Sequence, residues 1–144
     1  MGATVNAYWP GMTEEQLDSQ PGFYNDDKPW GDWMAIREEV PEALAAIRGL
    51  GAEAILSLKT DGWEDDDVQW VTPQQMRDAA TKIREAVAAR RPEAEVILES
   101  YRRTGLFTDE PLADQFIRDL DDVIAITRWA EEEGASQLTL EVNW

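Results

Sequence analysis

The sequence predicts an α+β fold in a single domain over residues 1–144, with helices packed on a mixed β-sheet. The last eight residues alternate apolar and polar side chains, which is the period of a half-buried strand. Residues 73–90 carry apolar side chains at helical spacing. Two short apolar segments flank an acidic turn and are expected to form a hairpin, which breaks the strict alternation of a doubly wound fold. The expected order is β-α-α-β-β-α-β-α-β.

The first strand is expected at residues 3–9, because the turn signal Pro10-Gly11 follows it. Thr13 and Gln16 have the spacing of a capping box, in which each side chain binds the backbone N–H of the other residue. This box predicts a short helix that continues to about Ser19.

Residues 20–31 are expected to form a loop because they contain two prolines and two glycines. Asp32 can cap a second helix that ends at Gly49 or Gly51. Within that helix, Pro41 either restarts the helical segment or kinks it. The loop also concentrates three aromatic residues: Phe23, Tyr24 and Trp30.

Two brief strands are expected at residues 54–59 and 68–71, joined by the acidic turn 61–67. The next helix begins with a second capping box, formed by Thr72 and Gln75, and has proline at its first position. It ends near residues 90–92, where two arginines suit the dipole at a helix C-terminus. The expected buried stripe consists of Met76, Ala79, Ala80, Ile83 and Val87.

Residues 95–101 are expected to form a strand, with a helix as the alternative. A long helix follows from about Pro111 to Glu133, with Gly134 just beyond its end. Its expected inward residues are Leu112, Phe116, Leu120, Val123 and Ile124. In the final strand, residues 137–144, the apolar face comprises Leu138, Leu140, Val142 and Trp144. The polar face comprises Gln137, Thr139, Glu141 and Asn143.

The composition argues against catalysis. The chain contains no histidine and no cysteine, and its 30 acidic residues against 13 basic ones give a net charge of −17. Most enzymes use His or Cys as base, nucleophile or metal ligand near neutral pH. The sequence also lacks a phosphate-binding loop and a serine-hydrolase motif, and close pairs among so many carboxylates do not indicate glycosidase chemistry. We expect a non-catalytic acidic binding protein with no catalytic residues, no cofactor and no metal.

The acidic charge also bears on partners and location. It favours a basic protein partner and disfavours nucleic acid. Residues 1–10 lack the basic and apolar regions of a signal peptide, and no stretch reaches the roughly 20 apolar residues of a membrane span. The absence of cysteine is compatible with a reducing compartment. We expect a cytoplasmic protein without membrane contacts, and homo-oligomerisation stays open.

The charge is unevenly distributed along the chain. Residues 73–105 contain seven Lys or Arg and five Asp or Glu, whereas residues 106–144 contain two and ten. This contrast indicates an electrostatic match within the domain or between subunits, or only a face that lacks the acidic bias.

The densest acidic cluster is the predicted turn 61–67. Its carboxylates do not have the spacing of an EF-hand calcium loop. A solvated turn is one interpretation, and a surface that binds a basic partner is the other, because a cationic partner would relieve the crowding of the carboxylates. The expected partner-binding residues are Asp61, Trp63, Glu64, Asp65, Asp66 and Asp67.

Seven tryptophans are many for 144 residues. Three fall on periodic elements and are expected at the core or its edge: Trp33, Trp129 and Trp144. The others flank loops or short strands: Trp9, Trp30, Trp63 and Trp70. They either cover the edges of a small core or form an interaction surface, where Trp is enriched. Trp63, beside several carboxylates, best suits the second role.

Several of these segments together resemble a small acidic bacterial immunity protein of a polymorphic-toxin system. The likeness rests on residues 55–63 (ILSLKTDGW), on residues 72–76 (TPQQM) opening a helix, and on residues 110–112 (EPL) and 130–134 (AEEEG) around a long helix. The chain departs from the family where Lys59 replaces an expected histidine and where residues 64–71 are inserted. The resemblance implies stoichiometric binding and inhibition of a toxin domain, without catalysis.

Two other function classes stay open. A nucleic-acid-mimicking inhibitor would present carboxylates at phosphate-like spacing along a face. The long C-terminal helix could supply them through Asp114, Asp119, Asp121, Asp122, Glu131, Glu132 and Glu133. A sugar- or peptide-binding module would use the aromatic loop with Phe23, Tyr24 and Trp30.

Overall fold

The computed structural model describes residues 4–21, 70–100 and 112–143, which contain a two-stranded antiparallel sheet and four helices. This content confirms a mixture of helix and strand, and it is mostly helical. The expected mixed sheet and nine-element order are not supported. In chain order the elements are β1 (Thr4–Tyr8), α1 (Glu14–Ser19), α2 (Pro73–Ala89), α3 (Arg91–Ser100), α4 (Leu112–Glu132) and β2 (Thr139–Asn143).

The two ends of the chain meet in the sheet. β1 and β2 pair antiparallel, with Tyr8 opposite Thr139. Val71 forms an isolated bridge with Leu138, in which each N–H donates to the other carbonyl, at N–O distances of 3.2 and 2.7 Å. Since successive residues of a strand direct their backbone groups to opposite edges, Val71 lies on the side of β2 away from β1. The end of the predicted strand at residues 68–71 therefore lies beside β2.

The outer edge of β1 is closed by a side chain from the end of α1. Ala7, which is fully buried, donates its N–H to the Oε1 atom of Gln20 at 2.8 Å. α1 itself starts with the predicted capping box, because the Thr13 hydroxyl accepts from Gln16 N–H at 3.1 Å and Gln16 Oε1 accepts from Thr13 N–H at 2.9 Å. The hydrogen bond from Ala7 to Gln20 holds the end of α1 beside β1.

The helix α2 has the predicted start and the predicted buried face. Thr72 Oγ1 accepts from Gln75 N–H at 3.1 Å, and Gln75 Oε1 accepts from Thr72 N–H at 3.0 Å, with Pro73 at the first helical position. The expected stripe is confirmed, since all its members are buried: Met76, Ala79, Ala80, Ile83 and Val87. α2 packs mainly against α4, so this helix pair forms most of the described core.

The predicted strand at residues 95–101 is wrong, because residues Arg91–Ser100 form the helix α3. Pro92 lies in the first turn, where a missing N–H does not break a helical hydrogen bond. Glu95 then accepts a hydrogen bond from Ala113 N–H at 2.6 Å, in the first turn of α4. An acceptor at this position satisfies one of the free N–H groups at a helix N-terminus, so α3 also helps to start α4.

The helix α4 ends as expected at Gly134, which has a φ of +91°. Ala135 N–H donates to Ala130 O at 2.9 Å and Gly134 N–H to Glu131 O at 3.1 Å, which is the Schellman pattern of hydrogen bonds. The buried face includes the predicted Leu120 and Val123 together with Ala113, Ile117, Ile126, Thr127 and Ala130.

Two burial predictions for α4 and β2 need correction. Ile124 is only half-buried, whereas Thr127 is fully buried. Its hydroxyl donates to Ile124 O at 2.7 Å, which satisfies this polar group inside the core. Thr139 was expected on the exposed face of β2, but it is fully buried, like Leu138. Leu140 is buried as well, and successive side chains of a strand point to opposite faces, so both faces of this part of the chain are covered.

The predicted helix from Asp32 to Gly49 or Gly51, the strand at residues 54–59 with its hairpin, and most of the loop 20–31 lie outside the described residues. Among the described helices, none is long and apolar enough to cross a membrane.

Candidate functional site

The predicted partner-binding loop lies outside the described residues, so its geometry stays a prediction. This applies to each of its members: Asp61, Trp63, Glu64, Asp65, Asp66 and Asp67. The structure does fix where the chain leaves that segment, because Val71 is held against Leu138 by two hydrogen bonds.

Arginines of α2 and α3 pair with carboxylates of α4 along the length of the helix pair. Arg84 Nε lies 2.6 Å from Asp121 Oδ1, and the Arg77 guanidinium lies 2.9 Å from Glu131 Oε2. A third pair joins Arg91 and Asp114 at 2.6 Å. Arg77 and Arg84 are seven residues apart on α2, which keeps them on one side of that helix. Arg91, the first residue of α3, adds the third pair. We call these three pairs the arginine row.

The arginine row uses three of the seven basic residues in the segment 73–105. In the described part of the segment, these pairs are a match within the chain, and a match between subunits stays a prediction. The side chains of the Arg84 and Arg91 pairs are about half exposed, and exposed ion pairs usually contribute only about 0–1 kcal/mol each. Arg77 is better covered, with 16% of its side chain exposed. The arginine row therefore affects the distribution of surface charge more than the free energy of unfolding.

A groove of about 300 Å³ opens where the two ends of the chain meet. One wall comes from residues 9–11 at the end of β1, together with Thr13 and Gln16 at the start of α1. The other wall comes from residues 133–134 at the end of α4 and from residues 136–137 before β2. We call this cavity the Trp9 groove.

Trp9 is the aromatic residue of the groove. It is 9% exposed, and its ring centroid lies 5.4 Å from that of Trp129, with the planes tilted by 57°. This separation and tilt are typical of favourable aromatic pairs. Trp129, on the last turn of α4, is half-buried and packs against the more deeply buried Trp9. For this pair, the interpretation that tryptophans cover the edge of a core fits the structure.

Gln16 connects the two walls of the groove. Its Oε1 accepts from Thr13 N–H at 2.9 Å in the capping box, while its Nε2 donates to Glu133 O at 3.3 Å. One amide therefore caps α1 and binds a backbone carbonyl at the end of α4. These two bonds hold the opening of the groove in a defined shape.

The electrostatics at this end of α4 are unfavourable. The C-terminus of a helix carries a partial negative charge, and a cation there is worth about 0.3–1 kcal/mol. The last turn of α4 contains no basic residue; it ends in Glu131 and Glu132, and Glu133 follows directly. Arg77 compensates Glu131. Glu132 and Glu133 are exposed, so this end of the molecule has a negative potential.

The sequence predicted the elements around the groove but not the groove itself. Trp9 and Glu133 are far apart in the chain, and no local pattern brings them together. One signal was available: three glutamates at a predicted helix C-terminus violate the dipole rule, and such violations occur at functional sites. Within the described ranges, no group of three or more acidic residues is arranged to hold a metal ion.

Comparisons with protein-family models, with curated proteins and with solved structures find no match.

Proposed function

We propose that this chain is a non-catalytic acidic protein that binds a basic protein partner, in the manner of the small bacterial immunity proteins that it resembles. The partner would be a toxin domain whose active surface is cationic. The predicted contact surface is the loop with Asp61, Trp63, Glu64, Asp65, Asp66 and Asp67.

One structural observation carries the proposal. The arginines of α2 and α3 are engaged with carboxylates of the same molecule in the arginine row, and Arg90, between the two helices, pairs with Glu93. With 30 acidic and 13 basic residues, pairing within the chain leaves a large surplus of carboxylates. Such a surplus attracts a basic partner and accelerates its association.

The same observation disfavours nucleic-acid mimicry. Three carboxylates of α4 that would have formed a phosphate-like array are bound to arginines: Asp114, Asp121 and Glu131. A mimic needs its carboxylates along one face to be free for a protein that normally binds phosphates. The ion pairs along α4 leave fewer free carboxylates for such an array. Binding of a basic protein through net charge and an aromatic anchor is therefore favoured over nucleic-acid mimicry.

The test starts from capture of partners on the immobilised full chain, followed by measurement of association and dissociation rates with the purified partner. Replacing Asp65, Asp66 and Asp67 by Asn should lower the association rate and its dependence on salt. Trp63→Ala should raise the dissociation rate, since a buried aromatic anchor mainly limits dissociation. Circular dichroism checks that both variants fold.

A matched control removes the same number of charges elsewhere on the surface. Asp18→Asn, Asp78→Asn and Glu85→Gln change exposed residues of α1 and α2, and this triple variant should retain most of the association rate. The proposal is wrong if the captured protein is not basic, or if it binds with the same rates at low and high salt. If the loop variants bind the partner and protect cells from the toxin as well as the parent chain does, the loop at residues 61–67 is not the contact surface.

A further inference from the structure

We infer that the side chain of Gln20 closes a strand edge that otherwise pairs with a second copy of this chain. When Gln20 is removed, β1 of one copy adds to β1 of another, and the two sheets become continuous. The inference goes beyond the proposed function, because it concerns self-association and not the basic partner.

The edge lies on the side of β1 that faces away from β2. Ala7 is in register with Leu140 of β2, yet its N–H donates to Gln20 Oε1 at 2.8 Å. The backbone groups of Ala7 therefore point outward, and those of Val5 point the same way, because the direction alternates from residue to residue. Within the described ranges, no strand pairs with β1 on this side. We call the outward backbone groups of Val5 and Ala7 the β1 edge.

Gln20 occupies the position that a neighbouring strand would use. Its Oε1 accepts from the Ala7 N–H at a distance typical of a bond between strands. Its Nε2 donates to Leu17 O, which orients the amide toward the strand. Because a side-chain carbonyl already fills this position, another strand cannot pair with β1 at Ala7 while Gln20 stays in place.

β1 lacks the charged side chains that often protect a strand edge. Natural edge strands are protected by charges, by proline or by a covering segment, and an edge without protection pairs with other chains. Residues 1–13 contain no Lys, Arg, Asp or Glu, although the whole chain has a net charge of −17. Charge within β1 therefore does not oppose pairing with an identical strand, and the cover at Gln20 becomes important.

This cover has little packing behind it. Gln20 follows α1, a helix of six residues, none of which is buried. A segment with few buried contacts opens at a low free-energy cost. Loss of Gln20 leaves the N–H of the fully buried Ala7 without its acceptor, and an unsatisfied buried donor is unfavourable. A backbone carbonyl from a second copy would satisfy this donor.

Two copies of β1 fit together in a symmetric register. An antiparallel pair of identical strands has a two-fold axis, so both copies contribute the same edge. The register that joins Val5 of one copy to Ala7 of the other uses both outward residues of each copy. Asn6 of one copy then lies directly opposite Asn6 of the other, with the two Cα atoms about 4.5 Å apart.

The test measures self-association of the full chain by sedimentation equilibrium at about 0.1 M NaCl, where repulsion from the net charge is screened beyond about 10 Å. The parent should be monomeric. Gln20→Ala should dimerise at least about tenfold more tightly, because the second copy satisfies a buried donor. Gln20→Glu keeps an oxygen acceptor and should behave like the parent. Circular dichroism shows that each variant is folded.

A second substitution tests the register. Asn6→Lys, added to Gln20→Ala, places like charges directly opposite each other across the dimer, which is destabilising. Within one chain, position 6 is in register with Glu141, so the lysine adds no like charge there. This double variant should be monomeric. The matched control adds Ala88→Lys, at an exposed position of α2, to Gln20→Ala and should stay dimeric.

Amide hydrogen exchange identifies the surface that associates. In Gln20→Ala, exchange of the Val5 N–H should slow as the protein concentration rises, because this group becomes paired in the dimer. The inference is overturned if Gln20→Ala is as monomeric as the parent, or if the parent dimerises as tightly as Gln20→Ala. It is also overturned if Asn6→Lys and Ala88→Lys affect the dimer equally.

Discussion

Ala7 and Gln20 are joined by a hydrogen bond of 2.8 Å that runs from the backbone of β1 to a side chain at the end of α1. The Ala7 N–H faces away from β2, where an unpaired strand edge can recruit another chain. The Gln20 side chain accepts a hydrogen bond from this N–H through Oε1 and donates to Leu17 O through Nε2 at 3.4 Å. One side chain thus connects a short helix to a strand edge and satisfies a buried donor.

The first prediction concerns this bond. Gln20→Ala leaves the N–H of the fully buried Ala7 without its acceptor, and an unsatisfied buried donor costs about 1–3 kcal/mol. Gln20→Glu keeps an oxygen acceptor at the same position and should lose less. Urea denaturation measures both free energies of unfolding. A loss for Gln20→Ala no larger than that for Gln20→Glu would show that the bond contributes nothing.

The second prediction concerns the interface of α2 with α4. Ile83 is fully buried in the centre of the α2 stripe. Ile83→Ala should lower the free energy of unfolding by about 2–5 kcal/mol, because the truncation removes buried methyl groups and leaves a cavity. The adjacent Lys82 is exposed, so Lys82→Ala is the matched control and should have little effect. Similar denaturation midpoints for the two variants would contradict the buried stripe.

The third prediction concerns the end of α4. Gly134 has a φ of +91°, and a Cβ atom built there meets no other atom within 4 Å. Gly134→Ala should therefore cost only the backbone strain of a left-handed conformation, about 1–2 kcal/mol. Gly134→Asn should cost less, since Asn tolerates this region better. Thermal unfolding followed by circular dichroism compares the variants, and equal stability of the alanine variant and the parent would contradict the prediction.

The elements that the sequence predicted correctly are those whose signals are local. Thr72 and Gln75 lie three residues apart, and their capping box forms as the spacing indicated. The apolar run at Val96 fits a strand as well as a helix, and only the Pro92 position and the contact of Glu95 with α4 favour the helix. Both faces of the chain are covered at Thr139, because Leu138 and Leu140 are buried too, and an alternation of apolar and polar residues predicts only one covered face.

The candidate site shows the same limit. The Trp9 groove joins residues near the N-terminus to residues beyond 130, and sequence periodicity carries no information about such distant pairs. By contrast, the internal pairing of charge was foreseeable in part, because residues 73–105 contain more cations than acids while residues 106–144 are strongly acidic. Which arginine meets which carboxylate follows only from the antiparallel packing of α2 and α4.

The last prediction concerns salt. At a net charge of −17, the surplus carboxylates repel one another. This repulsion weakens as the Debye length falls from about 30 Å at 0.01 M to about 10 Å at 0.1 M salt. Screening also weakens the arginine row, but its half-exposed pairs contribute at most about 1 kcal/mol each. Because the surplus of carboxylates is much larger than three pairs, repulsion dominates. The melting temperature should therefore rise with NaCl over this range.

A pair of variants separates the two effects of salt. Arg84→Gln and Lys82→Gln each remove one positive charge and make the net charge one unit more negative. Only Arg84 contacts Asp121 across the helix interface. Both variants should show a steeper rise of the melting temperature with salt, and Arg84→Gln should melt lower at 0.01 M because it also breaks an ion pair. Differential scanning calorimetry measures these midpoints. A flat or falling curve for the parent would mean that the arginine row outweighs the repulsion, and that the carboxylate surplus is not a strong field for a basic partner.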